Sequence, residues 1–589
     1  MPSRADRLWI GIPAPRLDAE TAAHLDAVRP GGIVLFRRNV ESAAQVCELI
    51  ADLRARLGEQ LLVVVDQEGG AVVRFEREAT VFPGNLALGA IAMTDRARAL
   101  DLARRQGRVS AAELRALGID GNLAPVCDLT VRADNPGVGC RSFGGDPALA
   151  GDLAAELVRG HLEGGVFPVL KHFPGLGAAD RDSHEALPRV GRGRAGAAEA
   201  TGTGSGGTPP VPVPSPVVRA LQTEGQDSLA DRSTSELEAE SRGRGQAPAG
   251  YGRSLSPTDA HGSRRAPISP GLGRALEPFR RAIAAGAPVV MTAHLVHDEL
   301  DPARPATTST RVVRDALRGR LRFDGAVMSD DLGMGALAEL STEEKIELAA
   351  AAGHDLLCVC HDPRRQLRAR ARLEAIGGAD DEGAAARIAA LRRTVGRLAG
   401  VPAVSVEPGA PLAAEIAERA LTVLRRGAAP VAIPAGERWL LILPAARNLT
   451  QVEDPLRGED LALLAARLAD RALLLAVGSP PTPAEIARAA ARSADLDGIV
   501  IATIGLRTSD AERQLVLGAL EWQPRTIVIP LGDPAELAAL PARSFTAVTA
   551  YGYRRVHQEA LARLLRGEIG AAGRYPGPPE VARAARFDP

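Results

Sequence analysis

Short apolar runs alternate with stretches of helical periodicity along most of the first 400 residues. The helical stretches include 41–58, 99–118 and 342–353, in which apolar residues recur three and four positions apart. Strand–helix alternation repeated this often predicts parallel β/α units. We therefore expect an α/β fold of the (β/α)8-like TIM barrel type, with an open doubly wound sheet as the alternative. The strand-like runs lie at 31–36, 61–66, 119–129, 166–172, 287–295, 323–331 and 355–360.

Two other segments differ from this pattern in composition or period, and they divide the chain into predicted domains. Between 191 and 271, roughly half of the residues are Gly, Pro, Ser or Thr without an apolar period, which predicts a low-complexity, disordered insertion. From 403 to 589, strand-like runs alternate with helical patterns such as 483–494, which predicts a C-terminal α/β/α sandwich domain. We therefore expect a barrel domain over 1–400, interrupted by the insertion, and a second domain over 403–589. The strand-like runs of the second domain lie at 439–444, 472–478, 498–505 and 525–532.

Charge and composition exclude several classes of partner. The formal net charge is −1 and aromatic residues make up 3% of the chain, so there is neither a basic field nor many stacking platforms. This argues against nucleic acid and anionic membranes as partners. No window reaches about 18 consecutive apolar residues, and the N-terminus lacks a secretory apolar region, so we expect a soluble cytoplasmic protein.

The cysteines favour neither disulfides nor a metal site. Five cysteines, an odd number scattered along the chain, do not make a disulfide framework. Cys358 and Cys360, next to His361, are separated by one residue, whereas zinc-binding pairs are usually two to four residues apart. We interpret these cysteines as small apolar side chains inside a strand.

Charged residues follow several of the predicted barrel strands, at the end where barrel enzymes carry their reactive groups. A single charged residue at a strand end has a structural explanation, because any strand that leaves the core ends in polar residues. Several at the same predicted face indicate a functional site. These residues are Asp66, Lys171, His172, His294, Asp330 and Asp331.

The densest group of reactive residues lies in the loop KHFPGLGAADRDSHEALP, 171–188. Asp182 and His184 are two residues apart, so the carboxylate can reach the imidazole Nδ1–H and leave Nε2 for acid–base work. The alternative is an Asx turn beside a surface histidine. Ser183 lacks the Gly-x-Ser-x-Gly context of a serine nucleophile.

Lysine is rare in this chain, with two lysines among 71 basic residues. A retained lysine indicates a need for a compact ammonium group that arginine does not meet. We apply this argument to Lys171, which follows a strand. We expect Lys345, in a helical pattern, to be solvated.

Several motifs together resemble glycoside hydrolase family 3, and within it the bacterial β-N-acetylglucosaminidases of the NagZ type. They are KHFPG-x-G with DSH (171–184), VMSDDLGM (327–334), VDQEGGAVVRF (65–75), NLAPVCDL (122–129) and RSFG (141–144). The resemblance implies a retaining double displacement on terminal β-linked GlcNAc, with muropeptides as natural substrates and no metal or organic cofactor. It implies that Asp330 is the nucleophile, with Asp331 as the fallback, and that Asp182 and His184 form the acid–base pair. The substrate-binding residues that it implies are Asp66, Arg74, Arg141, Lys171, His172 and Met334.

The resemblance leaves alternatives. A neutral imidazole repels an incoming anion less than a carboxylate does, so a phosphorylase on the same substrates is one alternative, and a catalytically impaired carbohydrate-binding homologue is another. The DSH pair argues against a β-glucosidase or β-xylosidase. Leu176 stands where the family usually has histidine, and the lost polar group either loosens the loop or alters a substrate contact. The oligomeric state and the role of the second domain stay open.

Overall fold

The computed structural model describes residues 4–135, 137–191, 268–376, 381–401, 407–445 and 461–588. Nearly all of the predicted insertion at 191–271 lies outside these residues. The domain boundaries stay predictions. The helices and strands of the described residues form two parts, a barrel and a second sheet.

Eight parallel strands form a nearly closed barrel, as the sequence predicts. β1 pairs with β2, β2 with β3, and the order continues through β6, β7 and β9 to β11, while β12 pairs with β1 on the other side. A parallel bridge between Met328 and Leu356 joins the two ends of this order, so the open doubly wound alternative is wrong. The twelve strands of this part are β1 Leu8–Ile10, β2 Gly32–Leu35, β3 Leu62–Val65, β4 Gln67–Gly69, β5 Val72–Val73, β6 Gly121–Asn122, β7 Phe167–Phe173, β8 Arg189–Val190, β9 Val289–Thr292, β10 Val296–His297, β11 Ala326–Ser329 and β12 Leu357–Val359.

Seven of the eight barrel strands fall in runs predicted from the sequence, and β1 was not predicted. This strand has only three residues, too few for a periodicity, but all three are buried. The Trp9 ring fills the space over Gly32, where a Cβ atom would lie 2.4 Å from the ring. Phe167 and Gly121 are matched in the same way, because a Cβ on Gly121 would lie 2.3 Å from the phenyl ring. Large rings facing glycines thus close the barrel interior beneath the strand ends.

The helices of the barrel begin and end where the sequence provides caps. The Ser42 hydroxyl accepts a hydrogen bond from the Gln45 N–H at the start of α2, and Asp146 does the same for Leu149 at the start of α5. None of the helices in the described part of the chain has the length and hydropathy to cross a membrane. The helices of this part are α1 Ala19–Val28, α2 Ala43–Leu57, α3 Asn85–Ala92, α4 Arg96–Ala116, α5 Pro147–Gly164, α6 Pro270–Ala284, α7 Thr342–Ala352, α8 Pro363–Ala375 and α9 Asp381–Ala399.

The second part is a six-stranded sheet with helices on both faces, so the predicted α/β/α sandwich is confirmed. The sheet order is β13, β18, β17, β16, β14, β15, and only the β13–β18 pair is antiparallel. Buried residues form one apolar core with α10, α11 and α14 and another with α12 and α13. The four predicted strands are present, and the antiparallel pair was missed. The elements are α10 Gly409–Ala420, β13 Thr422–Arg425, β14 Trp439–Pro444, α11 Ala462–Arg467, β15 Ala472–Val477, α12 Pro483–Ser493, β16 Gly498–Thr503, α13 Asp510–Trp522, β17 Thr526–Pro530, β18 Thr546–Thr549, α14 Arg555–Leu565 and α15 Pro579–Ala584.

Candidate active site

A small cavity opens at the carboxyl ends of the barrel strands, where the sequence places the charged residues. Its volume is about 280 Å³, close to the lower end of the range for small-molecule sites. Most of the predicted site residues line it, whereas Arg141 and Asp182 lie behind the lining. The predicted residues in the wall are Asp66, Arg74, Lys171, His172, His184, Asp330, Asp331 and Met334.

Asp182 and His184 form the predicted pair. The His184 Nδ1 lies 2.7 Å from Asp182 Oδ1, and the His184 backbone N–H donates to the same oxygen at 2.9 Å. Burial by itself would raise the pKa of the Asp182 carboxyl, but the hydrogen bonds from the imidazole and the backbone of His184 outweigh it and lower the pKa. An ionised carboxylate only accepts hydrogen bonds, so Nδ1 carries the proton and Nε2 is left for another partner.

The loop that carries this pair is attached to the loop that carries Asp330. The Gly335 N–H donates to the His184 carbonyl at 3.1 Å, and the Ala336 N–H donates to the Ser183 carbonyl at 3.1 Å. Position 335 requires glycine, because a Cβ there would lie 2.5 Å from the His184 carbonyl oxygen. These contacts bring His184 and Asp330 to the same cavity.

Asp330 and Asp331 follow β11 but have different surroundings. Asp331 Oδ1 accepts the backbone N–H groups of Gly333 at 3.1 Å and Cys360 at 3.0 Å, so it stabilises the local turn. Asp330 Oδ1 accepts the Asp331 N–H at 2.8 Å, and Asp330 lines the cavity. Burial would raise the pKa of the Asp330 carboxyl, but the nearby imidazoles of His172, His294 and His184 lower it overall. The geometry favours Asp330 over Asp331 as the reactive carboxylate.

A buried ion-pair network supports the opposite wall. The Lys171 ammonium lies 2.6 Å from Asp66 Oδ1 and 2.6 Å from Glu68 Oε1. Both Glu68 oxygens also accept from the Arg141 guanidinium, at 2.9 and 2.8 Å. Burial would raise the pKa of Glu68, but the two cations hold it well below its usual range. Burial likewise would lower the pKa of Lys171, and the carboxylates of Asp66 and Glu68 raise it instead.

His172 is held by a carboxylate that the sequence analysis did not identify. Its Nδ1 lies 2.7 Å from Asp128 Oδ2, and its Nε2 lies 3.4 Å from the Arg141 Nη2. Asp128 Oδ1 also accepts the Leu176 N–H at 2.7 Å. Asp128 and Glu68 each lie beneath residues in the wall, and the sequence signals that could have found them are their positions after strands and their places in the motifs NLAPVCDL and VDQEGGAVVRF.

Leu176 does not face the cavity. Its side chain packs in a small apolar cluster with Val138, Ala179, Ala293 and Leu295. Its backbone N–H is bound by Asp128, so the backbone and the apolar side chain of Leu176 both hold the loop 171–188 in place.

Lys345 is not solvated, so that prediction was wrong. The residue is 6% exposed, and its ammonium donates to the Leu332 carbonyl at 2.9 Å. Leu332 lies two residues after Asp330 in the sequence. Burial lowers the pKa of this ammonium. His294 is also buried, and its Nε2 lies 2.9 Å from the Asp331 carbonyl. Both residues therefore hold the Asp330 loop from beneath.

Cys358 lies in β12, and it lines the cavity together with Cys360 and His361. Both thiols are buried, and the hydrogen bond between them, burial and nearby carboxylates raise the pKa of Cys360. No three His, Cys, Asp or Glu side chains within the described segments are grouped to hold a metal ion.

The fold and this cavity define an enzyme of the (β/α)-barrel class, in which a carboxylate and an aspartate–histidine pair meet at one small pocket. The signature of the glycosyl hydrolase family 3 N-terminal domain matches residues 7–200 and 262–397. The chain therefore belongs to glycoside hydrolase family 3, and it is an enzyme that cleaves glycosidic bonds.

Named relatives agree with this assignment. A beta-hexosaminidase of Thioalkalivibrio sulfidiphilus is 32% identical over 370 residues, which are 63% of this chain and 83% of the relative. The structure of a family 3 β-N-acetylglucosaminidase from Paenibacillus sp. is similar, with a TM-score of 0.78, 28% identity and 98% of each chain covered. NagZ from Neisseria gonorrhoeae, solved in complex with N-trifluoroacetyl-D-glucosamine, has a TM-score of 0.50 and 28% identity over 70% of this chain and 96% of that one.

Proposed function

We propose that the chain is a retaining exo-β-N-acetylglucosaminidase that releases terminal β-linked GlcNAc by double displacement. The observation that carries the proposal is that His184, bound to Asp182 at 2.7 Å, lines the same cavity as Asp330. The relatives named above as hexosaminidases and β-N-acetylglucosaminidases support the choice of sugar. The cavity of about 280 Å³ suits one terminal sugar ring.

In the first step, Asp330 attacks the anomeric carbon, and the bond to the aglycone oxygen breaks. His184 gives its Nε2 proton to the leaving oxygen. Because Nδ1–H is already bound to Asp182, the acid form of His184 is the imidazolium, which the Asp182 carboxylate stabilises. The lowered pKa of Asp330 keeps the nucleophile ionised while the histidine is protonated.

In the second step, the neutral His184 takes a proton from water, which attacks the glycosyl–Asp330 ester and releases GlcNAc with Asp330 regenerated. The Gly335 and Ala336 hydrogen bonds keep the acid–base loop beside the nucleophile in both steps.

The sugar is held by the residues of the opposite wall. Asp66 and Lys171 clamp hydroxyl groups with charge-assisted hydrogen bonds, and Arg74 and His172 complete the polar side. Met334 packs against the sugar face. Arg141 lies beneath the cavity wall and supports His172 there. We further propose peptidoglycan-derived muropeptides as the natural substrates, on the basis of the resemblance to the NagZ type.

The test is cleavage of an aryl β-N-acetylglucosaminide by the purified full chain, with and without phosphate, alongside Asp330→Ala. We expect GlcNAc release that is independent of phosphate and abolished in Asp330→Ala. Asp324→Ala, which removes an exposed aspartate just before the same strand, is the matched control and keeps full activity. Release that requires phosphate and yields GlcNAc-1-phosphate would show a phosphorylase instead. Absence of turnover by folded protein would contradict the proposal.

A further inference from the structure

A buried arginine of the second domain reaches the barrel loop that carries part of the candidate site. Arg554 caps the start of α14, and its side chain is 7% exposed. Its Nε donates to the Gly70 carbonyl at 3.1 Å, and its Nη2 donates to the Ala71 carbonyl at 3.5 Å. Its Nη1 forms an ion pair with Glu76 Oε1 at 3.0 Å.

These three partners of the guanidinium belong to the short hairpin of β4 and β5 and to its continuation, and the Tyr553 ring packs against the same group at 5.0 Å. The hairpin follows Asp66 and leads to Arg74, so both ends of it are in the cavity wall. Gly69 and Gly70 turn the chain with positive φ angles of 97° and 59°. Arg554 provides donors for the carbonyl groups of Gly70 and Ala71 in this turn.

The other side of the hairpin is held from within the barrel. Gln67 Oε1 accepts the N–H groups of Arg74 at 3.0 Å and Phe75 at 3.1 Å. Asn122 in turn binds the backbone of Gln67 through its Oδ1 and Nδ2, at 3.0 and 2.9 Å. The hairpin is thus fixed between a barrel amide and a guanidinium from the second domain.

Arg554 does not by itself attach the second domain to the barrel. The Arg574 N–H donates to the Ala90 carbonyl at 3.2 Å, and the Gly145 N–H donates to the Pro576 carbonyl at 3.0 Å. Removal of the Arg554 guanidinium should therefore leave the domains in contact and act on the hairpin alone.

We propose that Arg554 is a positioning residue for the sugar subsite, through which the second domain fixes Asp66 and Arg74 for substrate. This inference rests on the proposed function, because it assigns the hairpin to sugar binding. It gives the second domain a part in catalysis beyond that of a spacer.

The kinetic test uses Arg554→Gln, Arg554→Lys and a control in the full chain. The control is Arg467→Gln, because Arg467 lies in the same domain, is 55% exposed, and pairs with Glu559 of α14 at 3.0 Å. For Arg554→Gln we expect a KM for the aryl glycoside that rises roughly tenfold or more while kcat changes less, since a displaced subsite weakens binding. Arg554→Lys should recover part of the loss, and Arg467→Gln should match the wild type.

Hydrogen–deuterium exchange separates this inference from the proposed function. We expect faster exchange in Arg554→Gln at residues 67–76, with unchanged protection of the barrel strands. If the wild type does not cleave the glycoside, the proposed function fails, and the exchange still tests the positioning. Unchanged KM and unchanged exchange at 67–76 in Arg554→Gln would overturn the inference.

Discussion

Asp330 and Asp331 are neighbours in the sequence and both line the cavity, but Asp331 is also bound into a turn through its Oδ1. Asp331 Oδ1 accepts two backbone N–H groups, a role that the amide oxygen of asparagine can keep. We therefore expect Asp331→Asn to lose less than about tenfold in kcat and Asp330→Asn at least about 10³-fold, because only the second change removes the proposed nucleophile. Steady-state kinetics of both variants on one aryl glycoside decide the assignment. The opposite ranking would move the nucleophile to Asp331.

Lys345 shows how a residue outside the cavity can control one inside it. Lys345→Met removes the donor to the Leu332 carbonyl, and the buried, unpaired carbonyl costs about 1–3 kcal/mol. We expect a lower melting temperature and a kcat reduced by roughly tenfold, since the Asp330 loop loses its support. The control is Arg368→Met, which removes an exposed cation of the neighbouring α8. A kcat equal to that of the wild type would mean that Lys345 contributes to stability and not to the position of Asp330.

The residues that the sequence predicted well are those whose position alone implies exposure to the cavity. Asp66 and Asp330 directly follow β3 and β11, whereas Lys171 and His172 lie within the last three residues of β7. The barrel brings these strand ends together. Glu68, Asp128 and Lys345 were missed because their burial depends on packing between distant segments. Lys345 is an example. The pattern of its helix predicts a solvated side chain, but the Asp330 loop packs over it in the fold.

At the scale of elements, the active site depends on two loops that bind each other. A methyl group on Gly335 would lie 2.5 Å from the His184 carbonyl and 2.6 Å from the Glu185 carbonyl, and both are backbone atoms that cannot rotate away. Gly335→Ala should therefore displace the acid–base loop and reduce kcat by roughly 10²-fold, with little change in global stability.

The matched control for Gly335→Ala is Gly396→Ala in α9. Apart from the backbone of its own helix turn and its chain neighbours, no atom of the described residues lies within 4 Å of a Cβ at Gly396. Alanine also favours a helix over glycine, so this variant should keep full activity. The two variants are compared by kcat and by thermal unfolding. Equal kcat values would contradict the coupling of the two loops.

The elements that the sequence predicted are those with enough residues to show a period. The long helices α2, α4 and α7 agree with their predicted ranges, because amphipathic spacing and caps mark them clearly. β1 and the β13–β18 pair have three or four residues each and are defined by the strands beside them. Short strands of this kind are fixed by tertiary pairing, which periodicity along the chain does not report.

At the scale of the whole molecule, buried histidines link stability to pH. Burial lowers the pKa of His161 to about 4 and of His354 and His557 to about 3. The unfolded chain titrates these groups near pH 6.5, so below that value it binds protons that the folded chain does not. Stability contributed by these groups is therefore complete above about pH 6.5 and is lost progressively as pH falls towards the folded pKa values. The expected loss is about 1.4 kcal/mol per histidine per pH unit between roughly pH 5.5 and 4.5.

His557 allows this linkage to be tested at one position. Both of its ring nitrogens are buried, and neither has a hydrogen-bond partner of good geometry among the residues that the structure describes, so an apolar side chain removes the titration with little loss of hydrogen bonding. His557→Leu should reduce the dependence of the unfolding free energy on pH by about 1.4 kcal/mol per unit over that window, whatever its effect on stability at pH 7. Urea unfolding of both proteins, followed at several pH values by a probe in the second domain, measures the slope. Parallel pH profiles would mean that His557 either is protonated in the folded chain or is equally neutral in the unfolded chain, and the linkage would then have to come from His161 and His354 in the barrel.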